Sequence, residues 1–129
     1  MMKTVIIMGS TSDEAHAKKI TDKLDKYGIA WEQHAASAHK EPLKVLDILN
    51  ANKENKDIIY ITIAGRSNAL SGFVAANSEF PTLGCPPFSD KADMLVNIHS
   101  TLQMPSMTPV LTVVDPGNCA LAVKRIFGV

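Results

Sequence analysis

The sequence predicts an α/β domain in which one doubly wound parallel sheet lies between two layers of helices. Short apolar runs rich in β-branched residues alternate with segments of helical spacing, in the order βαβαβαβαβα. The run from Asp57 to Ala64 shows no polar alternation, which is typical of a parallel strand covered on both faces. No linker or low-complexity segment divides the 129 residues, so residues 1–129 are predicted to form a single domain.

Each predicted element is bounded by a turn, glycine, proline or capping signal. The strands are expected at Lys3 to Met8, Ile29 to Ala36, Asp57 to Ala64, Thr82 to Cys85 and Val110 to Val114. The helices are expected to stop at Gly28, to open at Glu41 and Pro42, to cover Ala69 to Asn77 and Asp90 to Leu102, and to open again at Asp115. Glu32, Gln33 and His34 interrupt the second strand, which predicts partial exposure or an assembly surface.

Composition excludes several classes of partner. Thirteen basic residues balance thirteen acidic ones and form no block, which argues against a nucleic-acid surface. No apolar run approaches the roughly 20 residues that cross a bilayer, and no secretory signal is recognisable. The two cysteines have no metal-binding spacing. We therefore expect a reduced, cytoplasmic protein without a membrane partner.

The loops that follow the strands are the candidate binding site. Right-handed crossovers bring the carboxyl ends of parallel strands to one edge of the sheet, where ligands bind in this architecture. The loops concerned are Gly9 to Asp13, Ser37 to Lys40, Gly65 to Ser71 and Cys85 to Asp90. Most are rich in hydroxyls and carry a cation or an acid, so they are expected to converge on one polar, anionic ligand.

The first loop has the features of an anion site. Backbone N–H groups at a helix start, beside the hydroxyls of Ser10, Thr11 and Ser12, can hold a phosphate. Asp13 would repel a phosphate, but its carboxylate suits sugar hydroxyls. The alternative is purely structural: Thr11 and Glu14 would form a capping box, and Asp13 would favour the helix start.

Two further loop residues can carry chemistry. His39 is the one histidine placed in a strand-end loop beside a cation, Lys40, and an imidazole is suited to proton transfer near neutral pH. Arg66 follows the third strand and could clamp a carboxylate through two hydrogen bonds, or it could pair with an acid on a neighbouring helix. Cys85 is interpreted as a small core residue, His99 as a packed or interface residue, and His16 and His34 as surface or subunit-contact residues.

Five ordered motifs resemble the aminoimidazole ribonucleotide (AIR) carboxylase family of purine biosynthesis. They are Met8-Gly-Ser-Thr-Ser-Asp13, Ser37-Ala-His-Lys40, Ala64-Gly-Arg-Ser-Asn-Ala-Leu-Ser-Gly72, Cys85-Pro-Pro-Phe88 and Leu102-Gln-Met-Pro105. The resemblance runs from about residue 3 to the end. Ala-Gly-Arg-Ser-Asn with Ser-Ala-His-Lys is the pattern of the branch that fixes carbon dioxide directly, the class II branch. The other branch is a mutase that moves a carboxylate from nitrogen to carbon. Gln103, where that class II branch has arginine, and Met107, where glycine is usual, depart from the pattern.

The resemblance implies a flavodoxin-like sheet, a homo-octamer with sites near subunit contacts, and no metal, biotin or ATP. It assigns the substrate phosphate to Ser10, Ser12, Ser37 and Lys40, the ribose hydroxyls to Asp13, and proton transfer to His39. Gly65, Arg66, Ser67 and Ser71 are then expected to bind the substrate around the carboxylate or carbon dioxide. The implied reaction is ATP-independent carboxylation of AIR, with the mutase reaction and a non-enzymatic flavin- or phosphate-binding module as alternatives.

Overall fold

The computed structural model describes residues 2–129 and contains one sheet of five parallel strands in the order β2-β1-β3-β4-β5. The strands are β1 (Lys3–Met8), β2 (Ala30–Ala35), β3 (Ile58–Ile63), β4 (Thr82–Gly84) and β5 (Leu111–Thr112). The helices are α1 (Glu14–Lys26), α2 (Pro42–Asn52), α3 (Leu70–Ala76), α4 (Lys91–Leu102) and α5 (Pro116–Phe127), and a 3-10 turn at Thr11–Asp13 precedes α1. The predicted α/β fold class is confirmed.

Two apolar clusters cover the two faces of the sheet. Successive side chains of a strand point to opposite faces, and in β1 the side chains of Ile6 and Met8 join one cluster while those of Val5 and Ile7 join the other. The first cluster includes buried residues of α1 and α5, and the second includes buried residues of α2 and α3. The sheet therefore lies between two helical layers.

The edge strand β2 is partly exposed, as its polar residues predict. The Glu32 carboxylate pairs with Lys3 at 2.6 Å and with His34 at 2.5 Å. Burial opposes the charge of Glu32, but the hydrogen bonds from Lys3 and His34 outweigh it and lower the pKa of this carboxyl. These two ion pairs thus stabilise the polar side chains of β2 at this edge of the sheet.

At the opposite edge, β5 is shorter than the sequence predicts. Only Leu111 and Thr112 pair with β4, because β4 itself has just three residues. Val113 extends the contact by donating its N–H to the Gly84 carbonyl at 2.9 Å. β-Branched residues 110, 113 and 114 suit a strand, but a strand can only be as long as the neighbour that accepts its hydrogen bonds.

The strand order brings the first three strand-end loops together. β1 lies between β2 and β3, so the loops after these three strands are neighbours at one edge of the sheet. Gly9 donates its N–H to the Ile63 carbonyl at 2.9 Å, and Ala36 donates to the Met8 carbonyl at 2.8 Å. Within residues 2–129, no helix is both long and apolar enough to span a membrane.

Candidate active site

Three strand-end loops line a cavity of about 200 Å³, which we call the central pocket. Its walls come from Gly9, Ser10 and Asp13 of the first loop, Ser37, Ala38 and His39 of the second, and Ala64, Gly65, Ser67, Ala69 and Leu70 of the third. The strand order thus assembles most of the predicted site, with the acid and the histidine facing one cavity.

The first loop is held by its own serines. The Ser10 hydroxyl oxygen accepts from the Ser12 N–H at 3.2 Å and lies 2.9 Å from the Ser12 hydroxyl. The capping side chain is that of Ser10, and Thr11 lies inside the 3-10 turn, so the Thr11–Glu14 capping box is not formed. The turn therefore presents the hydroxyls of Ser10 and Ser12, while the N–H groups of Ser12, Asp13 and Glu14 already have acceptors within the turn.

Asp13 has an environment suited to accepting hydrogen bonds from neutral hydroxyls. Burial raises the pKa of its carboxyl above the ordinary value, while the nearby His16 and a backbone hydrogen bond with Ser10 act in the opposite direction. Asp13 lines both the central pocket and the adjoining cavity described below.

His39 occupies a short, tightly bonded turn between β2 and α2. The Ser37 hydroxyl accepts from the Lys40 N–H at 3.2 Å, and the Ser37 carbonyl accepts from the Glu41 N–H at 2.7 Å. These two bonds fix the backbone on both sides of His39, which is exposed and lines the central pocket. Lys40 is exposed too, but it lies outside the cavity wall.

The third loop has an unusual backbone at Arg66. Its φ of 59° lies in the left-handed region that non-glycine residues seldom adopt. The Arg66 guanidinium pairs with Asp93 of α4 at 3.3 Å, which is the helix ion pair that the sequence left as the alternative to a carboxylate clamp. The guanidinium is largely exposed, so the pair does not prevent it from contacting a ligand.

Ser71 is placed behind the pocket and not in its wall. The side chain is fully buried (0% exposed), and its hydroxyl contacts Thr62 Oγ1 at 2.6 Å and accepts from Asn68 Nδ2 at 2.7 Å. Ser71 is the second residue of α3, and its side chain turns toward the sheet. The position of Ser71 in the loop motif did not indicate that its side chain points toward the sheet.

A second, larger cavity adjoins the central pocket and shares Asp13 and Gly65 with it. This adjoining pocket has a volume of about 520 Å³ and is also lined by Ser12, His16, Lys19 and Arg66. The loop after β4 contributes Pro87, Phe88 and Ser89 to this cavity and none to the central pocket. The four loops therefore serve two neighbouring cavities, not the single one that the sequence predicts.

The prediction that His16 lies at the surface is wrong. His16 is only 8% exposed, and its Nε2 lies 3.6 Å from the Cys85 sulfur. His16, Ile20 and Leu24 are spaced four residues apart and share the buried face of α1, a periodicity that could have predicted this burial. Cys85 is a buried core residue, as predicted.

The thiol of Cys85 has an altered acidity. A hydrogen bond with Cys119 lowers the pKa of Cys85 to about 6, against the effect of burial, and His16 acts in the same direction as Cys119. The same hydrogen bond raises the pKa of Cys119. Within residues 2–129, no group of three or more His, Cys, Asp or Glu side chains is arranged to hold a metal ion.

Comparison with known proteins decides the family of the chain. The family model described as AIR carboxylase matches residues 3–129. The chain belongs to the AIR carboxylase family. It is therefore related to enzymes of purine biosynthesis, and the resemblance seen in the five motifs is confirmed.

Relatives of this AIR carboxylase family member are similar over nearly its whole length. The phosphoribosylaminoimidazole carboxylase of Archaeoglobus fulgidus is 49% identical over 98% of this chain and 69% of the relative. The enzyme of the same name from Treponema denticola is 44% identical over 95% of this chain and 77% of the relative. The crystal structure of Treponema denticola PurE superposes with a TM-score of 0.92 at 41% identity, covering 99% of this chain and 81% of that one. The flavodoxin-like fold is thereby confirmed.

Proposed function

We propose that this enzyme carboxylates 5-aminoimidazole ribonucleotide with carbon dioxide, without ATP, to give 4-carboxy-5-aminoimidazole ribonucleotide. The observation that carries the proposal is the central pocket, where a serine-rich helix start, Asp13 and His39 face one cavity. The named carboxylase relatives support the same reaction class. The free thiols of Cys85 and Cys119 are in keeping with the cytoplasmic location that the sequence predicts.

The substrate phosphate is assigned to the serine hydroxyls at one end of the pocket. Ser10 and Ser12 lie beside each other at the helix start; Ser10 lines the central pocket together with Ser37 of the second loop, and Ser12 lines the adjoining pocket. Lys40, which is exposed next to this end, supplies a cation that can reach an anionic oxygen. Asp13 accepts hydrogen bonds from the ribose hydroxyls. Binding energy from this remote end holds the ring in place for reaction.

The main catalytic group that the protein must supply is a base, because the substrate ring is already nucleophilic. The aminoimidazole ring is an enamine, so its carbon 4 donates an electron pair to the carbon of carbon dioxide, and one C–O π pair becomes the carboxylate charge. His39 then removes the proton left on carbon 4, which restores the aromatic ring, and a positioned base contributes roughly 10²- to 10⁴-fold. Gly65, Arg66 and Ser67 are assigned to the forming carboxylate.

Arg66 can take part in this step without a large penalty. Its pair with Asp93 is 3.3 Å long, and the guanidinium is 70% exposed. Asp93 is 24% exposed, but on the Arg66 side the pair faces solvent. Ion pairs at the surface contribute only about 0–1 kcal/mol, so a substrate carboxylate can compete for the guanidinium.

Replacing His39 tests the proton-transfer assignment. His39→Asn should fold normally, bind the nucleotide within a few-fold of the unchanged protein, and lose roughly 10²-fold or more of its turnover. Circular dichroism, nucleotide titration and the rate of decarboxylation of the product measure these three properties. Asp22→Asn, at an exposed position on α1 outside both cavities, is the control and should retain full activity. Decarboxylation by His39→Asn at the unchanged rate would refute the role.

The mutase reaction is the second candidate because Gln103 replaces the arginine of the direct-carboxylating pattern. Gln103 is exposed at the end of α4, where a charge is lost relative to that pattern. A mutase would rapidly convert the N-carboxylated ribonucleotide into the C-carboxylated one. We expect the purified protein to convert it no faster than the N-carboxylated compound releases carbon dioxide.

We further propose that the enzyme assembles as a homo-octamer. Large apolar side chains are exposed along α4 and the segment after it, which is typical of an association surface. They are Leu95, Val96, Leu102, Met107 and Leu111. Light scattering on the eluting peak should give a mass eight times the 13.9 kDa of one chain. A monomer mass at micromolar concentration would contradict the assembly.

A further inference from the structure

One face of α4 carries a row of polar side chains that point at the loop after β3. Asp93, Asn97, Ser100 and Thr101 have the spacing i, i+4, i+7 and i+8, which places them on the same side of a helix. Asn97 and Thr101 are 6% and 1% exposed. Polar residues on a buried face need partners. Asp93, Ser100 and Thr101 find them in residues 66–68, whereas Asn97 donates to the Pro87 carbonyl at 2.6 Å and only packs against Gly65.

Ser100 ties the two ends of this loop together. Its hydroxyl donates to the Arg66 carbonyl and accepts from the Asn68 N–H at 2.9 Å. These two backbone groups flank Ser67, so a single side chain fixes the turn on both sides of it. Within residues 2–129, the Arg66 carbonyl accepts no hydrogen bond from any other side chain.

A network of buried side-chain hydrogen bonds holds the same loop against the sheet and α4. The Asn68 side chain donates to Ser71 Oγ at 2.7 Å and to Thr101 Oγ1 at 2.8 Å, and it accepts from the Ser71 N–H at 3.0 Å. Thr62 of β3 completes the network through its contact with Ser71. Because the hydroxyls and the amide satisfy one another away from water, the network permits little displacement of Asn68.

The start of the loop is packed just as closely. A Cβ atom on Gly65 would lie 3.0 Å from the Asn97 side chain, so a larger residue would require Asn97 of α4 to shift. The left-handed backbone of Arg66 is costly for a residue with a side chain and persists where its surroundings enforce it. The row of polar residues on α4 provides that enforcement.

We propose that Ser100 is a positioning residue that holds the Gly65–Asn68 loop in the conformation that captures carbon dioxide. The part concerning carbon dioxide rests on the proposed function. Ser100 acts by holding Ser67 in the wall of the central pocket and Arg66 in the wall of the adjoining one, and it leaves the phosphate and ribose contacts to the first two loops. Ser71 serves the same loop through Asn68 and does not touch the substrate.

The test is Ser100→Ala, compared with Ser100→Thr, which keeps the hydroxyl. Ser78→Ala is the matched control because its hydroxyl also accepts a backbone N–H, from Phe80 at 3.1 Å. This contact lies just before β4, on the side of the sheet where the strands begin and away from the pocket. Amide hydrogen exchange by NMR reports on the Asn68 N–H. Steady-state kinetics report the KM for carbon dioxide, the KM for AIR and kcat separately.

In Ser100→Ala we expect the Asn68 amide to exchange at least about 10-fold faster, since it loses its acceptor. We expect kcat/KM for carbon dioxide to fall by about 10²-fold, the loss typical of a displaced reacting group, with the KM for AIR within about 3-fold. Ser100→Thr should restore both properties, and Ser78→Ala should change neither.

Three results would overturn the positioning role: unchanged Asn68 exchange in Ser100→Ala, equal losses toward AIR and carbon dioxide, or no recovery in Ser100→Thr. If the unmodified enzyme shows no turnover of AIR with carbon dioxide, the proposed function fails. The exchange of Asn68 in the three variants then decides by itself whether Ser100 holds the loop.

Discussion

At the scale of single residues, Asp13 is where binding and stability oppose each other. Burial raises the pKa of its carboxyl above the ordinary value of 3.8, so the native state holds this proton more tightly than the unfolded chain does. The charged carboxylate therefore reduces stability at neutral pH, and this cost fits a residue retained for contact with a ligand.

Asp13→Asn should separate the two effects. We expect the variant to have a higher melting temperature than the unchanged protein near pH 7 and to bind the nucleotide roughly 10- to 100-fold more weakly, because a hydrogen bond to a charged acceptor is lost. The unchanged protein loses stability as pH rises from 3.8 through the raised pKa, so the advantage of the variant should disappear below that window. A stability advantage that persisted at pH 3 would contradict the assignment to Asp13.

Met107 is a second residue with a strained backbone. It is 94% exposed and has a φ of 66°, at the position where the family pattern has glycine. Met107→Gly should raise the free energy of unfolding by roughly 0.5–1 kcal/mol, because the left-handed penalty of about 1–2 kcal/mol exceeds the entropy cost of glycine. Met107→Ala keeps the penalty and should show no gain in urea denaturation. Equal stabilisation by both variants would point to loss of the side chain as the cause.

The sequence predicted the identity of the pocket residues better than the direction of their side chains. His39, Asp13 and Ser10 reach the central pocket because a loop at a strand end leaves few other places for them. Ser71 and His16 could not be placed in the same way, since each lies on a helix whose rotation decides which way it points. For His16, the apolar period of α1 contained that information.

At the scale of secondary-structure elements, capping residues determine where the helices begin. Asp90 accepts from the Asp93 N–H at 2.9 Å, and Asp115 accepts from the Asn118 N–H at 2.9 Å. Both starts were predictable because an acid before a helical segment satisfies N–H groups that lack partners within the helix. The length of β5 was not predictable, because it depends on how many residues of β4 are available for pairing.

Removing the cap of α4 should weaken the whole polar row that this helix presents. Asp90→Ala is expected to lower the free energy of unfolding by about 1 kcal/mol, the usual contribution of a capping side chain. Asp90→Asn retains an acceptor and should remain close to the unchanged protein. Urea denaturation followed by circular dichroism measures both, and an equal loss in the two variants would argue against capping as the cause.

At the scale of the whole molecule, the strand order determines which loops meet. The order β2-β1-β3 places three hydroxyl-bearing loops around one cavity, while the loop after β4 is one strand further away and lines the adjoining pocket. The alternation of strands and helices was sufficient to predict three layers. The division of the site into two cavities depends on side-chain packing between α1, α4 and the loops, which no pattern in the sequence encodes.

The central claim is that carbon dioxide itself adds to carbon 4 of AIR in this protein. The most direct measurement supplies AIR with either dissolved ¹³C-labelled carbon dioxide or labelled bicarbonate, at low temperature and without ATP or a second enzyme. We expect label to enter the 4-carboxylate at once from carbon dioxide and after a lag from bicarbonate, and carbonic anhydrase should abolish the lag. The claim would be contradicted if neither labelled carbon dioxide nor labelled bicarbonate gave labelled product, and product formed only when the N-carboxylated ribonucleotide was supplied.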